Sequence, residues 1–202
     1  MGGSRRSVIG RPRGFDADEA LERAMRVFWQ RGYEGASLAD LTGAMGITKT
    51  SMYAAFGNKE DLFRQALERY AEGPASYSAK ALAEPTALKV AAAYLAGSVT
   101  ASTCPGTPVG CLGVQGFLIA GHLGPIARDA LAAWRDQDRA RLRDRFQRAV
   151  DEGDLPPEAD PGLLARYLMT MANGIAVQAF AGTGGEELQQ MAAAAVRNWP
   201  PI

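Results

Sequence analysis

Hydrogen-bonding side chains are concentrated between positions 49 and 59 of this 202-residue chain. They are Lys49, Thr50, Ser51, Tyr53 and Lys59. Hydroxyl and ammonium groups at this spacing can bind the polar edges and the anionic groups of a partner, which is recognition chemistry. The chain offers no nucleophile with its base, no carboxylate pair and no glycine-rich phosphate loop, which are the features that catalysis requires. We therefore expect a binding protein and not an enzyme.

The segment that carries these side chains is predicted to be a helix of little more than two turns, with Thr48 as its N-cap and Gly57 at its end. An isolated helix of this length is marginal in water, so neighbouring helices must hold it. At 100° per residue, Met52, Ala55 and Phe56 lie on one side and form an anchoring face. The opposite side is small and polar, with Thr50, Ser51 and Ala54 at its centre and Lys49 and Tyr53 at its edge.

A second short helix precedes this one. Ser37 with Asp40 three residues later resembles a capping box, with Asp in place of the usual Glu, and Gly46 ends the helix. Two helices joined by a tight corner that contains glycine form a helix-turn-helix motif, whose second helix enters the major groove of DNA. Small side chains let that helix approach the base edges, while Lys49 and Tyr53 can contact bases or phosphates from its flanks.

The rest of the chain also has helical patterns. The first helix runs from Phe15 to Gly32 with Asp16 or Asp18 as its cap, and Asn58 caps a fourth helix whose N-terminus, beside Lys59, suits a phosphate. Further amphipathic segments lie near residues 75–83, 86–102, 112–120, 125–152, 161–181 and 185–198, and no strand pattern is present. The sequence predicts an all-α fold.

These patterns divide the chain into three parts: a flexible basic arm at 1–14, a helix-turn-helix DNA-binding headpiece at 15–62, and a helical C-terminal domain at 63–202. The 22 basic and 22 acidic residues balance, but the arm is basic. Its Arg11 and Arg13 belong to a Gly-Arg-Pro-Arg-Gly run that resembles an AT-hook core. These arginines either enter the minor groove beside the recognition helix or belong to a solvated tail, and the sequence leaves both readings open.

Other residue types narrow the possible classes of protein. No apolar run is long enough for a signal peptide or a membrane span, so we expect a cytoplasmic protein. Cys104, Cys111 and the lone His122 are too few for a zinc cluster, and we expect no metal and no cofactor. The two cysteines flank a Pro/Gly loop; they either form an oxidation-sensitive pair or are one small buried residue and one incidental residue.

Several residues of the headpiece resemble the DNA-binding signature of the TetR family of bacterial transcriptional regulators. The matching positions are Leu38-Ala39, Gly46-Ile47-Thr48, Met52-Tyr53, Phe56 and Lys59-Glu60-Asp61-Leu62. The resemblance implies a homodimeric repressor that binds a near-palindromic DNA operator and is released by a small-molecule effector. By similarity, Lys49, Thr50, Ser51 and Tyr53 would face bases or the adjacent backbone, and Lys59 and Ser37 would bind phosphates. Many members carry aromatic or His residues at the positions of Ala54 and Ala55, which leaves the operator sequence open.

The resemblance also implies that the C-terminal domain dimerises and holds the effector. Candidate ligand-binding residues are Tyr94, Phe117, His122, Trp134, Met169, Asn173 and Gln178. No acidic or basic residue is clearly internal, which slightly favours a neutral or hydrophobic effector. Candidate residues of a four-helix dimer interface are Leu164, Tyr167, Leu168, Met171 and Ile175 with Leu188, Met191, Ala195 and Trp199.

Two other functions are compatible with the sequence. The first is an architectural DNA-binding protein without a ligand, which would have no cavity in its C-terminal domain. The second is a helical enzyme with a DNA-binding appendage, which the absence of a catalytic constellation disfavours.

Overall fold

The computed structural model describes residues 14–118 and 125–200, and within these ranges the chain is helical and has no β-strand. The N-terminal helices are α1 (Ala17–Gly35), α2 (Leu38–Met45), α3 (Lys49–Phe56) and α4 (Lys59–Glu72). A 3-10 turn at Pro74–Ser76 leads to α5 (Tyr77–Ala81), α6 (Ala87–Thr103), α7 (Leu112–Leu118), α8 (Pro125–Asp151), α9 (Pro161–Phe180) and α10 (Gly185–Arg197). The all-α prediction is confirmed.

The caps that the sequence predicts for the three short connections of the headpiece are present. Ser37 and Asp40 form a reciprocal capping box at the start of α2, and the Thr48 hydroxyl accepts a hydrogen bond from the Ser51 N–H at the start of α3. Asn58 and Asp61 form a second capping box on α4. Because these hydrogen bonds satisfy N–H groups that a helix leaves unpaired, they fix where α2, α3 and α4 begin.

Helix α1 departs from its predicted end. Gly32 has φ 67° and ψ 175°, so the chain leaves helical geometry there, as predicted, but it then resumes a helical turn as far as Gly35. The added turn places Tyr33 in the headpiece core. Its ring stacks on Phe28, with ring centres 6.1 Å apart, and meets Phe63 edge-on, with ring centres 5.1 Å apart. The kink therefore supplies an aromatic residue to the core of the headpiece.

The headpiece core is built from large side chains of all four helices. Phe28, Trp29, Leu41, Met52 and Leu62 are almost completely buried there. Met52 and Phe56 anchor α3 on this core, as the sequence predicts. The short helix is thus held by packing, which supplies the stability that its own hydrogen bonds cannot.

The C-terminal domain packs α6, α8, α9 and α10 around a second core, with α6 against α9 and α10, and α8 against α9. Much of this core is alanine, for example Ala91, Ala165, Ala172, Ala179 and Ala192. Helix α4 belongs to both parts of the molecule, because it packs on α1 in the headpiece and on α8 in the C-terminal domain. In the described ranges no helix is long and apolar enough to cross a membrane.

Candidate nucleic-acid interface and internal cavity

Helix α3 presents a polar face to solvent. Lys49, Thr50 and Ala54 are exposed, and the Tyr53 side chain is 43% exposed, although Met52 beside it is fully buried. The Lys49 ammonium lies 5.8 Å from the centre of the Tyr53 ring. Helix α3 therefore combines a fixed position with an exposed surface of hydroxyl and ammonium groups, which is what contact with base edges requires.

Ser51 differs from the other α3 candidates. It is half-buried, and its hydroxyl lies 2.9 Å from the Thr48 hydroxyl at the start of the helix. Because this contact belongs to the cap, Ser51 offers less free hydrogen-bonding capacity than Thr50.

The two predicted phosphate ligands flank α3. Ser37 is exposed, and its hydroxyl donates to Asp40 Oδ2 at 2.6 Å. Hydrogen bonds from Ser37, with Arg31 nearby, lower the pKa of the Asp40 carboxyl. Arg31 also pairs with Asp40 at 2.7 Å and so joins α1 to α2. Because phosphate oxygens accept hydrogen bonds and the single O–H of Ser37 is donated to Asp40, Ser37 can donate to a phosphate only when its hydroxyl turns away from Asp40.

Lys59 lies at the first position of α4. Its ammonium is 4.3 Å from the centre of the Tyr33 ring, a cation–π contact that holds the side chain beside α3. Burial lowers the pKa of Lys59. Burial, with a contribution from Glu60, raises the pKa of Tyr33 to about 12. Lys59 is therefore positioned by its contact with Tyr33 and lies at the N-terminus of α4.

The structure does not describe the side chains of four predicted site residues. Arg11, Arg13 and His122 lie outside the described residues, as does the side chain of Phe117.

A cavity of about 770 Å³, partly open to solvent, lies in the C-terminal domain between α4, α5, α6, α7, α8 and α9. Four of the predicted ligand residues line it, namely Tyr94, Trp134, Met169 and Asn173. Gln178 does not, because it is exposed near the C-terminal end of α9, and its assignment to the cavity was wrong. The cavity wall also includes Tyr70, Tyr77, Ser78, Cys111 and Ala172.

The cavity contains a carboxylate that the sequence did not reveal. Asp138, in the middle of α8, accepts hydrogen bonds from the Tyr94 hydroxyl at 2.7 Å and from the Ser78 hydroxyl. Burial, to which the negative charge of Asp138 adds, raises the pKa of Tyr94 well above its ordinary value. The sequence indicates no charged residue clearly inside, and the structure places the half-buried Asp138 at the cavity wall. The sequence of α8 has the pattern of a charged surface helix. Only the structure shows that Asp138 is half-buried while Asp136 and Arg139 beside it are exposed.

The cavity is in direct contact with the headpiece through aromatic packing. Tyr70 of α4 meets Trp29 of α1 edge-on, with ring centres 4.9 Å apart, and meets Trp134 of the cavity wall at 6.0 Å. A second connection is the hydrogen bond from Arg26 of α1 to the Gly106 carbonyl, in the loop between α6 and α7. Tyr70 therefore contacts both the cavity wall and α1.

Most of the predicted dimer residues serve the core of their own chain. Leu164, Leu168, Ile175, Leu188 and Ala195 are buried by neighbouring helices of the same chain, so a second copy could not reach them, and their assignment to an interface is corrected. Tyr167, Met171 and Trp199 are half-buried, and the Trp199 ring packs on Phe146 at 5.3 Å. Met191 is exposed, as an interface residue must be. Met191 lies on α10, and the large exposed apolar side chains of α9 are Leu163, Val177 and Phe180.

The two cysteines have different environments. Cys104 is exposed, and Cys111 is half-buried at the cavity wall, and both are free thiols. In the part of the chain that the structure describes, no three His, Cys, Asp or Glu residues are grouped to hold a metal ion.

The fold and the α3 surface define the class of protein: an all-helical DNA-binding regulator of the helix-turn-helix type. Residues 20–66 match the model of the bacterial regulatory proteins of the tetR family, and residues 87–196 match the tetracyclin repressor-like C-terminal domain. The chain belongs to the TetR family of transcriptional regulators.

Individual relatives support this assignment along the whole chain. The transcriptional repressor ComR of Escherichia coli (strain K12) is 36% identical over 196 residues, which cover 96% of this chain and 93% of ComR. A cysteine mutant of the TetR family regulator CifR, solved with 26 bp operator DNA, is 43% identical with a TM-score of 0.86, covering 94% of this chain and all of that one. A regulator from Rhodococcus sp. RHA1 is 40% identical with a TM-score of 0.63, covering 92% of this chain and all of that one.

Proposed function

We propose that this chain is a cytoplasmic transcriptional repressor that binds a near-palindromic operator as a homodimer and leaves it when a small molecule enters the C-terminal cavity. The observation that carries the proposal is the exposed polar face of α3, which is anchored through the buried Met52 and Phe56. A short helix stabilised by packing and not by its own length can enter a groove without losing its structure.

Each headpiece residue has a role in this proposal. Lys49, Thr50 and Tyr53 contact base edges or the adjacent backbone in the major groove, because they are the exposed polar side chains of α3. Ser51 assists at the start of α3. Lys59 and Ser37 bind phosphates on either side, where α4 and α2 begin. Arg11 and Arg13 extend the contact to the minor groove.

The proposed dimer follows from the size of one headpiece and from the surface of α9 and α10. A single recognition helix reads one half-site, and two half-sites one helical turn apart need two copies. Leu163, Val177, Phe180 and Met191 supply exposed apolar area on the last two helices. We assign the interface to this surface in place of the buried residues that the sequence suggested.

The proposed release mechanism uses the contacts between cavity and headpiece. Tyr70 lies between the cavity and Trp29, so a ligand that moves α4 also moves α1. A ligand that binds better to one headpiece spacing shifts the population toward that spacing. The cavity of about 770 Å³ is within the size range of small-molecule sites, and its presence favours this mechanism over an architectural protein without a ligand.

The proposal is tested by selecting bound duplexes from a random pool with the full chain and measuring the affinity for the selected duplex. We expect a near-palindromic site with half-sites about one helical turn apart, and a stoichiometry of two chains per site. A small-molecule screen on this complex should then find compounds that release the DNA. Selection of no consistent sequence would contradict the repressor assignment, and sequence-specific binding that no compound affects would favour the architectural reading.

A further inference from the structure

The Asp138 carboxylate is an unusual group for a cavity wall. Its Oδ2 accepts one hydrogen bond from Tyr94, and its Oδ1 accepts one from Ser78. Each carboxylate oxygen has two lone pairs, so each keeps capacity for a further donor. Lys80 and Arg141 also line the cavity, but both are exposed and neither forms an ion pair with Asp138. The Tyr94 and Ser78 donors to Asp138 are both hydroxyl groups, and a half-buried carboxylate in such surroundings favours a positively charged partner.

Aromatic rings surround the same space. Tyr77 and Tyr94 lie edge-on with ring centres 5.4 Å apart, and Tyr70 and Trp134 form a second pair at 6.0 Å. All four rings line the cavity, but Tyr70 and Tyr94 are almost completely buried, whereas Tyr77 and Trp134 are half-buried. The faces of Tyr and Trp rings attract cations, above all ammonium groups that have lost part of their water. A carboxylate among such rings is an arrangement suited to an amine.

We propose that the effector of this regulator is a cationic amine with an apolar or aromatic body, whose ammonium group binds Asp138 while its body packs on Tyr77 and Trp134, the half-buried rings of the cavity wall. The inference rests on the proposed function, because it names the ligand class of the same cavity. Binding pairs the carboxylate with a cation and fills apolar space that contacts Tyr70, the residue that also packs on the headpiece.

Other charged residues at the cavity wall could favour a ligand of the opposite charge, so the test must include one. Glu68 and Glu72 of α4 are exposed at the wall, as are Lys80 and Arg141, and Arg135 is half-buried one turn before Asp138. If the basic groups dominated the field inside, an anionic ligand would be preferred. A preference for a cationic ligand would therefore indicate that Asp138 dominates, and a preference for an anionic ligand would indicate that its basic neighbours dominate.

Three probes of equal length separate these alternatives: 4-phenylbutylamine, 4-phenylbutan-1-ol and 4-phenylbutanoate, which are cationic, neutral and anionic at pH 7. Their binding to the full chain is measured by calorimetry and by tryptophan fluorescence, to which Trp134 contributes from the cavity wall. We expect the amine to bind about tenfold or more tighter than the other two. Equal or tighter binding of the alcohol or the carboxylate, or binding of none of the three at millimolar concentration, overturns the inference.

Matched variants test whether Asp138 is the charge that causes a preference for the amine. Asp138→Asn keeps the size and one oxygen acceptor, and it should lower amine affinity to the level of the alcohol. Ser78→Ala keeps the charge, so it should keep the preference for the amine. Asp129→Asn removes an exposed carboxylate from the same helix and should change nothing. A preference for the amine that survives in a folded Asp138→Asn variant would contradict the assignment.

Operator release is measured separately on the same samples. Asp138-dependent amine binding that leaves the operator bound would support the ligand class and contradict the release mechanism. Release by the alcohol or the carboxylate, with no effect of the amine, would support the release mechanism and contradict the ligand class.

Discussion

The headpiece and the C-terminal domain are both helical, but their cores are packed differently. In the headpiece, large aromatic and methionine side chains fill the core, side-chain caps begin the short helices and glycines end them. In the C-terminal domain the core is rich in alanine, and the helices leave a cavity of about 770 Å³. The comparison shows that the headpiece, which carries α3, is filled by large side chains, while the C-terminal domain keeps space that another molecule can fill.

The largest expected difference between the two regions concerns the removal of a buried side chain. Met52→Ala should lower the free energy of unfolding by about 2–5 kcal/mol, because Met52 is fully buried between α3 and the headpiece core. Met169→Ala at the cavity wall should cost clearly less, because Met169 is half-buried and already borders empty space. Urea unfolding of both variants is the measurement. Equal losses would mean that the two cores are packed alike.

A backbone substitution tests how strictly α3 is held. Gly57 ends α3 with φ 79°, and a Cβ at this position would lie 2.6 Å from Asp61 Oδ2, within the capping box of α4. Gly57→Ala should therefore cost about 1–3 kcal/mol of stability through strain. The control is Gly43→Ala in α2, where a Cβ meets nothing within 4 Å and alanine favours the helix. Thermal unfolding should separate the two variants, and a neutral Gly57→Ala would contradict the described end of α3.

The smallest of these effects concerns a phosphate contact. Lys59→Ala should weaken binding to all DNA sequences and reduce the slope of log affinity against log salt by about 1. Its stability should fall by only about 0.5–1 kcal/mol, from the lost contact with the Tyr33 ring. Lys89→Ala, an exposed lysine on α6, is the control and should leave the salt slope unchanged. An unchanged slope in Lys59→Ala would remove Lys59 from the interface.

The headpiece could be predicted from the sequence because its signals are local. Ser37, Thr48 and Asn58 act on backbone groups within three residues, so their roles follow from spacing alone. The anchoring of α3 by Met52 follows in the same way from helical periodicity. The additional turn of α1 after Gly32 could not be predicted, because it depends on the packing of Tyr33 against Phe63 of a distant helix.

The C-terminal domain could be predicted only in outline. Helix α9 is apolar on several sides, so its pattern does not tell Leu164, which is buried in the chain, from Leu163, which is exposed. Asp138 resembles the other acidic residues of α8 until the positions of Tyr94 and Ser78 are known. Assignments to a cavity or an interface need the relative positions of helices that are far apart in sequence, which periodicity does not contain.

If the exposed face of α3 reads the DNA sequence, a substitution on that face must change base preference. The affinity of the full chain for its selected duplex, and for the same duplex with single base-pair changes, is compared between the wild type and Thr50→Ala. Thr100→Ala, an exposed threonine on α6, serves as the control. We expect Thr50→Ala to change discrimination at one position of each half-site by about 1–3 kcal/mol, with stability and Thr100→Ala unaffected. Identical sequence preference in wild type, Thr50→Ala and the corresponding Lys49→Ala and Tyr53→Phe variants would contradict the account.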